Sequence, residues 1–246
     1  MLNINEPNIC SDVESTKVYI QDNIIDKARY LKLLKTFPYD DMQRKDIHNK
    51  VAFNDYNADA ANLFLSSNSE WKDFVDYFFS DDFINLLNYR FPQANSAKSY
   101  SRDDIHIGYE FSILKDGARV VPHKDKYGKL FSFVFYFVPE DWSEKNCYGG
   151  TQFYEPKNKL LNLKIFNDSA DFESMNLIKE VEPTYNRLMI FEPNKTSWHG
   201  VAPIKTNDSF GRPAFIVTIH RKKLTGLESF YNSISRFTAQ VQKFIN

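Results

Sequence analysis

The sequence predicts a mainly β fold with flanking helices, in which two antiparallel sheets form a jelly-roll barrel. Three observations support this fold class. Residues 105–113 alternate apolar with more polar side chains, which is the period of a half-buried strand. Residues 131–138 are apolar on both faces and therefore fit a deeply buried strand. Aromatic residues make up 16% of the chain, and its 22 Phe and 14 Tyr favour β-rich packing.

The secondary-structure elements follow from apolar spacing and from the residues that start and stop helices. Apolar side chains recur at helical spacing in several segments before residue 92, where Asp and Ser precede helix starts and Pro follows helix ends. After residue 104 the spacing changes to that of strands. The predicted elements are a short strand at 17–20, helices at 26–35, 58–65, 69–78 and 81–89, a loop at 39–57, and strands at 105–113, 131–138, 151–154, 181–191, 201–204 and 212–220.

The domain organisation follows from the length of the chain and from this change of pattern. A chain of 246 residues fits one domain with a sizeable core, so 1–246 is expected to be a single domain. Within it we expect helical N-terminal support in 1–100, the jelly-roll core in 104–222 and a C-terminal helix in 225–245. That helix is expected to pack on the barrel rather than to form a dimer interface. Residues 157–180 fit either a mobile loop or extra hairpin near the site, or a plain surface insertion.

Composition excludes several classes of partner. The formal net charge of −1 gives no reason to expect binding to nucleic acid or to an anionic membrane. No apolar run approaches the ~20 residues of a membrane span. Two cysteines do not make a disulfide framework, and the N-terminus lacks the pattern of a secretory signal, so a cytoplasmic location is expected. The chain is expected to be a monomer or a homodimer.

A metal site is indicated by His123-Lys-Asp125 followed later by His199. On an extended strand, residues i and i+2 project to the same side, so His123 and Asp125 can reach one ion while Lys124 points away. Two histidines and one carboxylate in this order match the facial triad of non-haem Fe(II) oxygenases. Imidazole and carboxylate suit a redox-active Fe(II), whereas thiolates would favour zinc or iron–sulfur clusters.

A residue that could bind an anion at this site is Arg212. It lies thirteen residues after His199, at the start of the apolar stretch 212–219. An arginine in an apolar strand is costly unless it is paired with an anion. Its planar guanidinium can grip a carboxylate through two charge-assisted hydrogen bonds. A structural salt bridge would satisfy it as well.

Taken in order, these motifs resemble the Fe(II)/2-oxoglutarate-dependent dioxygenases, most of all the prolyl 4-hydroxylase branch with its oxygen-sensor prolyl hydroxylases. The resemblance covers about residues 104–222. It implies a double-stranded β-helix (cupin-like) core, with His123, Asp125 and His199 as catalytic iron ligands and Arg212 as the partner of the distal carboxylate of 2-oxoglutarate. It further implies Fe(II), 2-oxoglutarate and O₂, and it leaves room for ascorbate. The other segments that carry it are 134–138, 139–142, 149–151, 182–191 and 197–201.

The sequence departs from this family at two cosubstrate positions. Leu114 stands where prolyl hydroxylases commonly carry a tyrosine nine residues before the first ligand, and Phe137 stands where the oxygen-sensor type has another tyrosine. The sequence therefore does not assign the hydroxyl group that would bind the carboxylate of 2-oxoglutarate together with Arg212. The candidates are Tyr136, which neighbours Phe137, together with Thr218 and Tyr109.

The resemblance implies a hydroxylase. Related halogenases carry a small residue in the place of Asp125, so a carboxylate there favours hydroxylation of a C–H bond with release of succinate and CO₂. The substrate is left open between a prolyl residue of a peptide, a free amino acid and another small metabolite. Two alternatives are a non-catalytic cupin-like binding module and a zinc-type metallohydrolase using the same triad. Arg212 argues against both, because neither needs it.

Three further polar residues near these motifs are expected to be structural or solvated. His220 shares strand parity with Arg212 and could face the barrel interior, but a structural histidine is favoured. Lys124 and Lys126 flank Asp125 and could steer an acidic substrate, but a solvated pair is favoured.

Overall fold

The structure is a computed structural model that describes residues 8–13, 16–39, 44–47, 50–54, 58–91, 99–145, 147–163, 169–207 and 211–234. Its core consists of two antiparallel sheets, which confirms the predicted mainly β jelly-roll fold with flanking helices. The strands are β1 (Asn8–Val13), β2 (Thr16–Asp22), β3 (Arg44–Ile47), β4 (Lys50–Asn54), β5 (Ile105–Leu114), β6 (Val120–His123), β7 (Lys129–Tyr136), β8 (Thr151–Pro156), β9 (Met175–Val181), β10 (Arg187–Glu192), β11 (Trp198–Val201) and β12 (Arg212–Arg221). The helices are α1 (Lys27–Lys35), α2 (Ala58–Ser67), α3 (Ser69–Phe78) and α4 (Asp81–Arg90).

The two sheets differ in size. The larger has eight strands in the order β1-β2-β10-β7-β12-β5-β4-β3, and the smaller has four in the order β6-β11-β8-β9. The middle of the larger sheet is built from the apolar strands β5, β7 and β12, which pair over most of their length. The space between the sheets holds the site described below.

The helices cover the outer face of the larger sheet. Three of their starts are capped, since Asp26, Asn68 and Ser80 accept hydrogen bonds from backbone amides in the first turn of α1, α3 and α4. The cap of α3 was expected at Ser67 or Ser69, and that prediction was wrong. Trp71 of α3 is fully buried and lies against Phe111 and other aromatic rings of the sheet. Burial of these large rings contributes most of the apolar area of the core. The helical layer therefore rigidifies the strands that carry the site on their other face.

Several predicted elements differ from those observed. The predicted loop at 39–57 was wrong, because β3 and β4 form a hairpin there that joins the edge of the larger sheet beside β5. With β1 and β2 at the opposite edge, the segment 1–100 contributes four strands as well as helices. The predicted strand at 181–191 is two strands, β9 and β10, and the one at 201–204 ends at Val201. β3 and β4 have only four and five residues, which is too short for the spacing of apolar residues to reveal them as strands.

The structure describes parts of two further segments, the insertion at 157–180 and the predicted C-terminal helix at 225–245. Within 157–180, two 3₁₀ turns (Lys159–Leu163 and Phe172–Ser174) precede β9, and Ser169 forms an isolated β-bridge with His123. Of the predicted C-terminal helix, residues 226–234 are helical, and the rest lies outside the described residues. In the part of the chain that the structure describes, none of the helices combines the length and the apolar character that a membrane span requires.

Candidate active site

The smaller sheet brings two histidines face to face. His123 ends β6 and His199 lies in the antiparallel neighbour β11, where the two residues are register partners. Their ring centroids are 4.3 Å apart. Gly200 permits this close approach, because a Cβ there would lie 2.6 Å from the carbonyl oxygen of Val120. Residues that are 76 positions apart in the chain therefore meet through strand pairing.

Both imidazoles are oriented by hydrogen bonds to the backbone. Nδ1 of His123 lies 3.0 Å from the carbonyl oxygen of Val121, and Nδ1 of His199 lies 3.0 Å from that of Ser197. A carbonyl oxygen can only accept, so Nδ1 carries the proton in each ring. The lone pair of Nε2 is then free to bind a metal, as is usual for histidine ligands.

The third member of the group is Asp125, two residues beyond the end of β6. Lys129 donates a hydrogen bond to its Oδ1 at 2.8 Å. Its Oδ2 lies 3.6 Å from Nε2 of His199 and, although buried, has no hydrogen-bond partner among the described residues. One atom from each of His123, Asp125 and His199 lies within 4.8 Å of the other two. An orphaned carboxylate oxygen beside two unprotonated imidazole nitrogens fits a divalent metal ion.

The electrostatics of the three residues favour the protonation states that a metal needs. Burial and, to a smaller extent, the neighbouring His123 lower the pKa of His199 to about 3. Burial likewise lowers the pKa of His123. Burial alone would raise the pKa of Asp125, but Lys129 and the two histidines outweigh it and hold that pKa below its usual range. Two neutral imidazoles and one carboxylate are therefore present at neutral pH, so protons compete little with a metal.

Arg212 is the first residue of β12 and is 4% exposed. One guanidinium nitrogen donates to the carbonyl oxygen of Gly149, and the guanidinium carbon lies 5.5 Å from the centre of the Tyr136 ring. Its Nε is buried without a hydrogen-bond partner, and it forms no ion pair with any residue that the structure describes. Burial lowers the pKa of Arg212, whereas Tyr136 and Glu180 raise it. A buried cation in this state is stabilised by an anion.

One cavity of about 300 Å³ connects these features. His123 and His199 line it from the smaller sheet, and Arg212 lines it from the larger. The volume is at the lower end of small-molecule sites. The arrangement can hold a metal ion at the three ligands and the carboxylate of a small acid at Arg212.

Comparison with known proteins assigns this arrangement to a family. Residues 109–220 match the family model described as the 2OG-Fe(II) oxygenase superfamily, and this range holds all four residues of the site. The chain contains a 2OG-Fe(II) oxygenase domain. The match spans most of the segment 104–222 in which the sequence resembles that family. A comparison with curated protein sequences found no significant match.

Solved structures with the same fold include HygX from Streptomyces hygroscopicus. The form with nickel, 2-oxoglutarate and hygromycin B bound is 8% identical, with 86% of each chain covered and a TM-score of 0.51. The form with nickel and 2-oxoglutarate bound is 9% identical, with 86% of this chain and 85% of HygX covered and a TM-score of 0.52. A Pseudomonas putida prolyl-4-hydroxylase is 16% identical, with 87% of this chain and 97% of that chain covered and a TM-score of 0.47. At these identities the likeness to HygX is one of fold.

The three hydroxyl candidates of the oxygenase domain lie in three different environments. Tyr136 lies beside Arg212, but its hydroxyl is 2.8 Å from the Thr151 hydroxyl and 3.4 Å from the carbonyl oxygen of Val181. Thr218 lines the cavity six residues along β12 from Arg212. Tyr109 borders the cavity, but its ring packs on the helix-covered face. Tyr109 is therefore not a partner of Arg212, because odd-numbered residues of β5 point to that face.

Two contributions to the oxygenase domain, those of Lys129 and Thr151, were not found from the sequence. Two residues that the sequence had singled out, Lys124 and His220, lie in other surroundings than expected. Lys129, which holds Asp125, is an ordinary lysine four residues along the chain. Thr151 lines the cavity beside Arg212, and the Gly-Gly-Thr motif was the available signal. Lys124 is 8% exposed, and its ammonium lies 5.0 Å from the centre of the Trp198 ring. The prediction that Lys124 is solvated was therefore wrong. Lys126, the other member of the pair, is exposed. His220 lines the open end of the cavity.

Proposed function

We propose that this oxygenase domain hydroxylates a C–H bond of a small-molecule or peptide substrate. One molecule each of 2-oxoglutarate and O₂ is consumed, and the products are hydroxylated substrate, succinate and CO₂. The observation that carries the proposal is that the two histidines of a two-histidine, one-carboxylate ligand set line the same cavity as Arg212, a buried guanidinium that forms no ion pair with any described residue. A diacid that chelates a metal through one end and binds Arg212 through the other satisfies both.

His123, Asp125 and His199 are the proposed metal ligands, through Nε2, Oδ2 and Nε2 respectively. Bound Fe(II) would supply the redox chemistry that activates O₂. Lys129 holds the other oxygen of Asp125, so the carboxylate presents a single oxygen to the metal. The two backbone carbonyls that accept from Nδ1 fix the orientation of the imidazole rings.

Arg212 is the proposed binding residue for the distal carboxylate of 2-oxoglutarate. Its unpartnered Nε and its position beside the cavity leave donors for that carboxylate. The Tyr136 ring supports the guanidinium through a cation–π contact, and the Tyr136 hydroxyl orients the hydroxyl of Thr151. Leu114 and Phe137 stand where related enzymes have a tyrosine hydroxyl. Thr151 is the proposed substitute, as the hydroxyl that binds the distal carboxylate together with Arg212.

The motifs around the site favour the prolyl hydroxylase-like branch, and a prolyl residue is accordingly one proposed substrate. HygX has been solved with hygromycin B, so small molecules of other kinds, including free amino acids, are also proposed. Ascorbate is retained as an accessory reductant. A cytoplasmic location is proposed because Cys147 is a free, buried thiol.

The test is to add Fe(II) and 2-oxoglutarate to the protein without oxygen and to record its visible spectrum. We expect the weak charge-transfer band of an Fe(II)–2-oxoglutarate chelate, followed by succinate release when O₂ is admitted. Asp125→Ala should abolish the band, whereas Asp141→Ala, in an exposed pair with Lys145, should retain it. An iron-loaded protein without the band would contradict the proposal and favour a zinc-type hydrolase or a binding module.

A further inference from the structure

The open end of the cavity carries polar side chains that the proposed iron and 2-oxoglutarate sites do not use. Ser132 of β7 is the register partner of Thr218 of β12, and on its other side Thr218 is opposite Gly108 of β5. All three residues line the cavity. Gly108 has no side chain, so no side chain of β5 lies opposite Thr218.

The buried hydroxyl of Ser132 indicates a ligand-binding site at this end of the cavity. Its side chain is 2% exposed, and its Oγ has no hydrogen-bond partner among the residues that the structure describes. A buried hydroxyl without a hydrogen-bond partner destabilises the folded protein, because it has lost its hydrogen bonds to water. A hydrogen-bonding ligand in the cavity would remove that cost.

These hydroxyls lie beyond the reach of Arg212. Thr218 is six residues from Arg212, which at ~3.3 Å per residue is roughly 20 Å along the strand. It is only two residues from His220, the register partner of Lys129, which binds Asp125. The hydroxyls are thus at the end of the cavity that is next to the metal ligands, which is where a substrate must present its reacting carbon.

The charges at this end are already paired. Lys50 of the edge strand β4 forms an ion pair with Glu110, and Lys129 forms one with Asp125. Burial lowers the pKa of His220 to about 4, so this imidazole is neutral at pH 7. The Arg212 end, by contrast, has a buried cation without an ion-pair partner in the described chain. A substrate with net charge would find no free counter-ion among these groups.

We infer that the open end is a substrate subsite that takes a net-neutral, hydroxyl- or amide-bearing group, with the hydroxyls of Ser132 and Thr218 as its hydrogen-bond partners. This inference rests on the proposed function, since it places the substrate beside the metal ligands. It excludes anionic and purely apolar groups as the reacting part of the substrate. The cavity of about 300 Å³ must also hold 2-oxoglutarate, so the reacting part is small.

The binding test uses matched pairs of probes with zinc-loaded protein and saturating 2-oxoglutarate, followed by ligand-observed NMR. The pairs are N-acetylprolinamide and N-acetylproline, glutamine and glutamate, and glucose and gluconate, with norleucine as the apolar relative of glutamine. We expect a neutral polar probe to bind more tightly than its anionic or apolar counterpart. Preference for an anionic or apolar probe, or no binding by any neutral polar probe, would overturn the inference.

Variants of the two hydroxyls connect that binding to the subsite. Thr218→Val keeps the shape but removes the hydroxyl, and should weaken the neutral probe about 5- to 10-fold, whereas Thr218→Ser should retain most of the affinity. Ser132→Ala should weaken the probe similarly, and Ser66→Ala on the exposed side of α2 should not. These losses should exceed any change in the dissociation constant of 2-oxoglutarate. Equal affinity in all variants would overturn the inference.

Thermal melting of the metal-free protein separates a binding role from a structural one. Because the Ser132 hydroxyl is buried without a described partner, Ser132→Ala should melt at the same or a higher temperature than the unaltered protein. A lower melting temperature would overturn the inference. The iron chelate band distinguishes the two proposals, since its loss in the unaltered protein contradicts the proposed function, whereas failed probe binding with the band intact contradicts the subsite alone.

Discussion

The two faces of the larger sheet are formed by the same strands but differ in the surroundings of their side chains. Phe133 and Phe215 point to the helix-covered face, where they are fully buried among other aromatic rings. Their neighbours Ser132 and Ile216 point into the cavity. On the outer face, aromatic residues such as Phe133 and Phe215 add apolar contact area. On the inner face Ser132 and Arg212 keep buried polar atoms without described partners.

This difference teaches where the sheet contributes stability and where it contributes binding. Unpartnered buried polar atoms lower the stability of the empty protein, and a ligand can recover that free energy. Changes to the outer face should therefore alter the free energy of unfolding, whereas changes to the inner face should alter the affinity for ligands. The following predictions test this division, from the largest expected effect to the smallest.

Adjacent residues of β12 provide the largest contrast. Phe215→Ala should lower the free energy of unfolding by about 3–5 kcal/mol, because it opens a cavity among packed rings. Ile216→Ala, one residue away on the half-buried inner face, should cost only about 1 kcal/mol. Urea unfolding of the metal-free protein measures both. Equal losses would contradict the division between the faces.

Arg212 should show the opposite behaviour. Arg212→Met should raise the dissociation constant of 2-oxoglutarate about 30-fold or more, the effect of removing a charge partner worth roughly 2 kcal/mol. It should not lower the stability of the metal-free protein, because an apolar side chain replaces a buried cation without an ion-pair partner in the described chain. Titration of the chelate band measures the first effect and urea unfolding the second.

The control for this variant is Arg102→Met, just before β5. Arg102 pairs with Asp81 on the surface and does not line the cavity, so its loss should leave the dissociation constant of 2-oxoglutarate unchanged. Weaker binding in both variants would mean that general positive charge, rather than the position of Arg212, attracts the cosubstrate.

Lys129 should act as a positioning residue for the metal. Lys129→Met should weaken Fe(II) binding about 10- to 100-fold, because residues that orient a ligand commonly have effects of this size. Lys145 provides a matched control, since it also lies four residues after an aspartate and pairs with it, but on the surface. Anaerobic Fe(II) titration of Lys129→Met and Lys145→Met should separate them. A Lys129→Met protein with unaltered affinity would remove this role.

The smallest effect is on the pH dependence of the metal-free protein. The pKa is lowered to about 4 for His220 and to about 3 for His199, below the usual histidine value of about 6.5. Between about pH 6.5 and 4 the unfolded chain therefore binds more protons than the folded protein, and the free energy of unfolding should fall as the pH is lowered. His220→Gln should flatten this slope in urea unfolding series. Stability that rises toward pH 4 would contradict the assignment.

Much of the fold and of the site could be predicted from local patterns. Alternation in 105–113 and the apolar stretch 131–138 correspond to β5 and β7, and helical spacing of apolar residues correctly predicted α1, α3 and α4. The order of His123, Asp125, His199 and Arg212 in the sequence was enough to predict the family. The hairpin of β3 and β4 was missed because it is held in place by the pairing of β4 with β5, a contact between distant parts of the chain.

The sequence by itself determined the fold class, the residue types of the ligand set and the charge of the group beside it. Each of these depends on periodicity or on a short motif, and both are local properties. Only the tertiary structure decided that Tyr136 lies beside Arg212 and bonds Thr151, that the Tyr109 ring faces the helices, and that Lys129 holds Asp125. The physical reason is that strand register, set by many pairings across the sheets, determines which side chains meet.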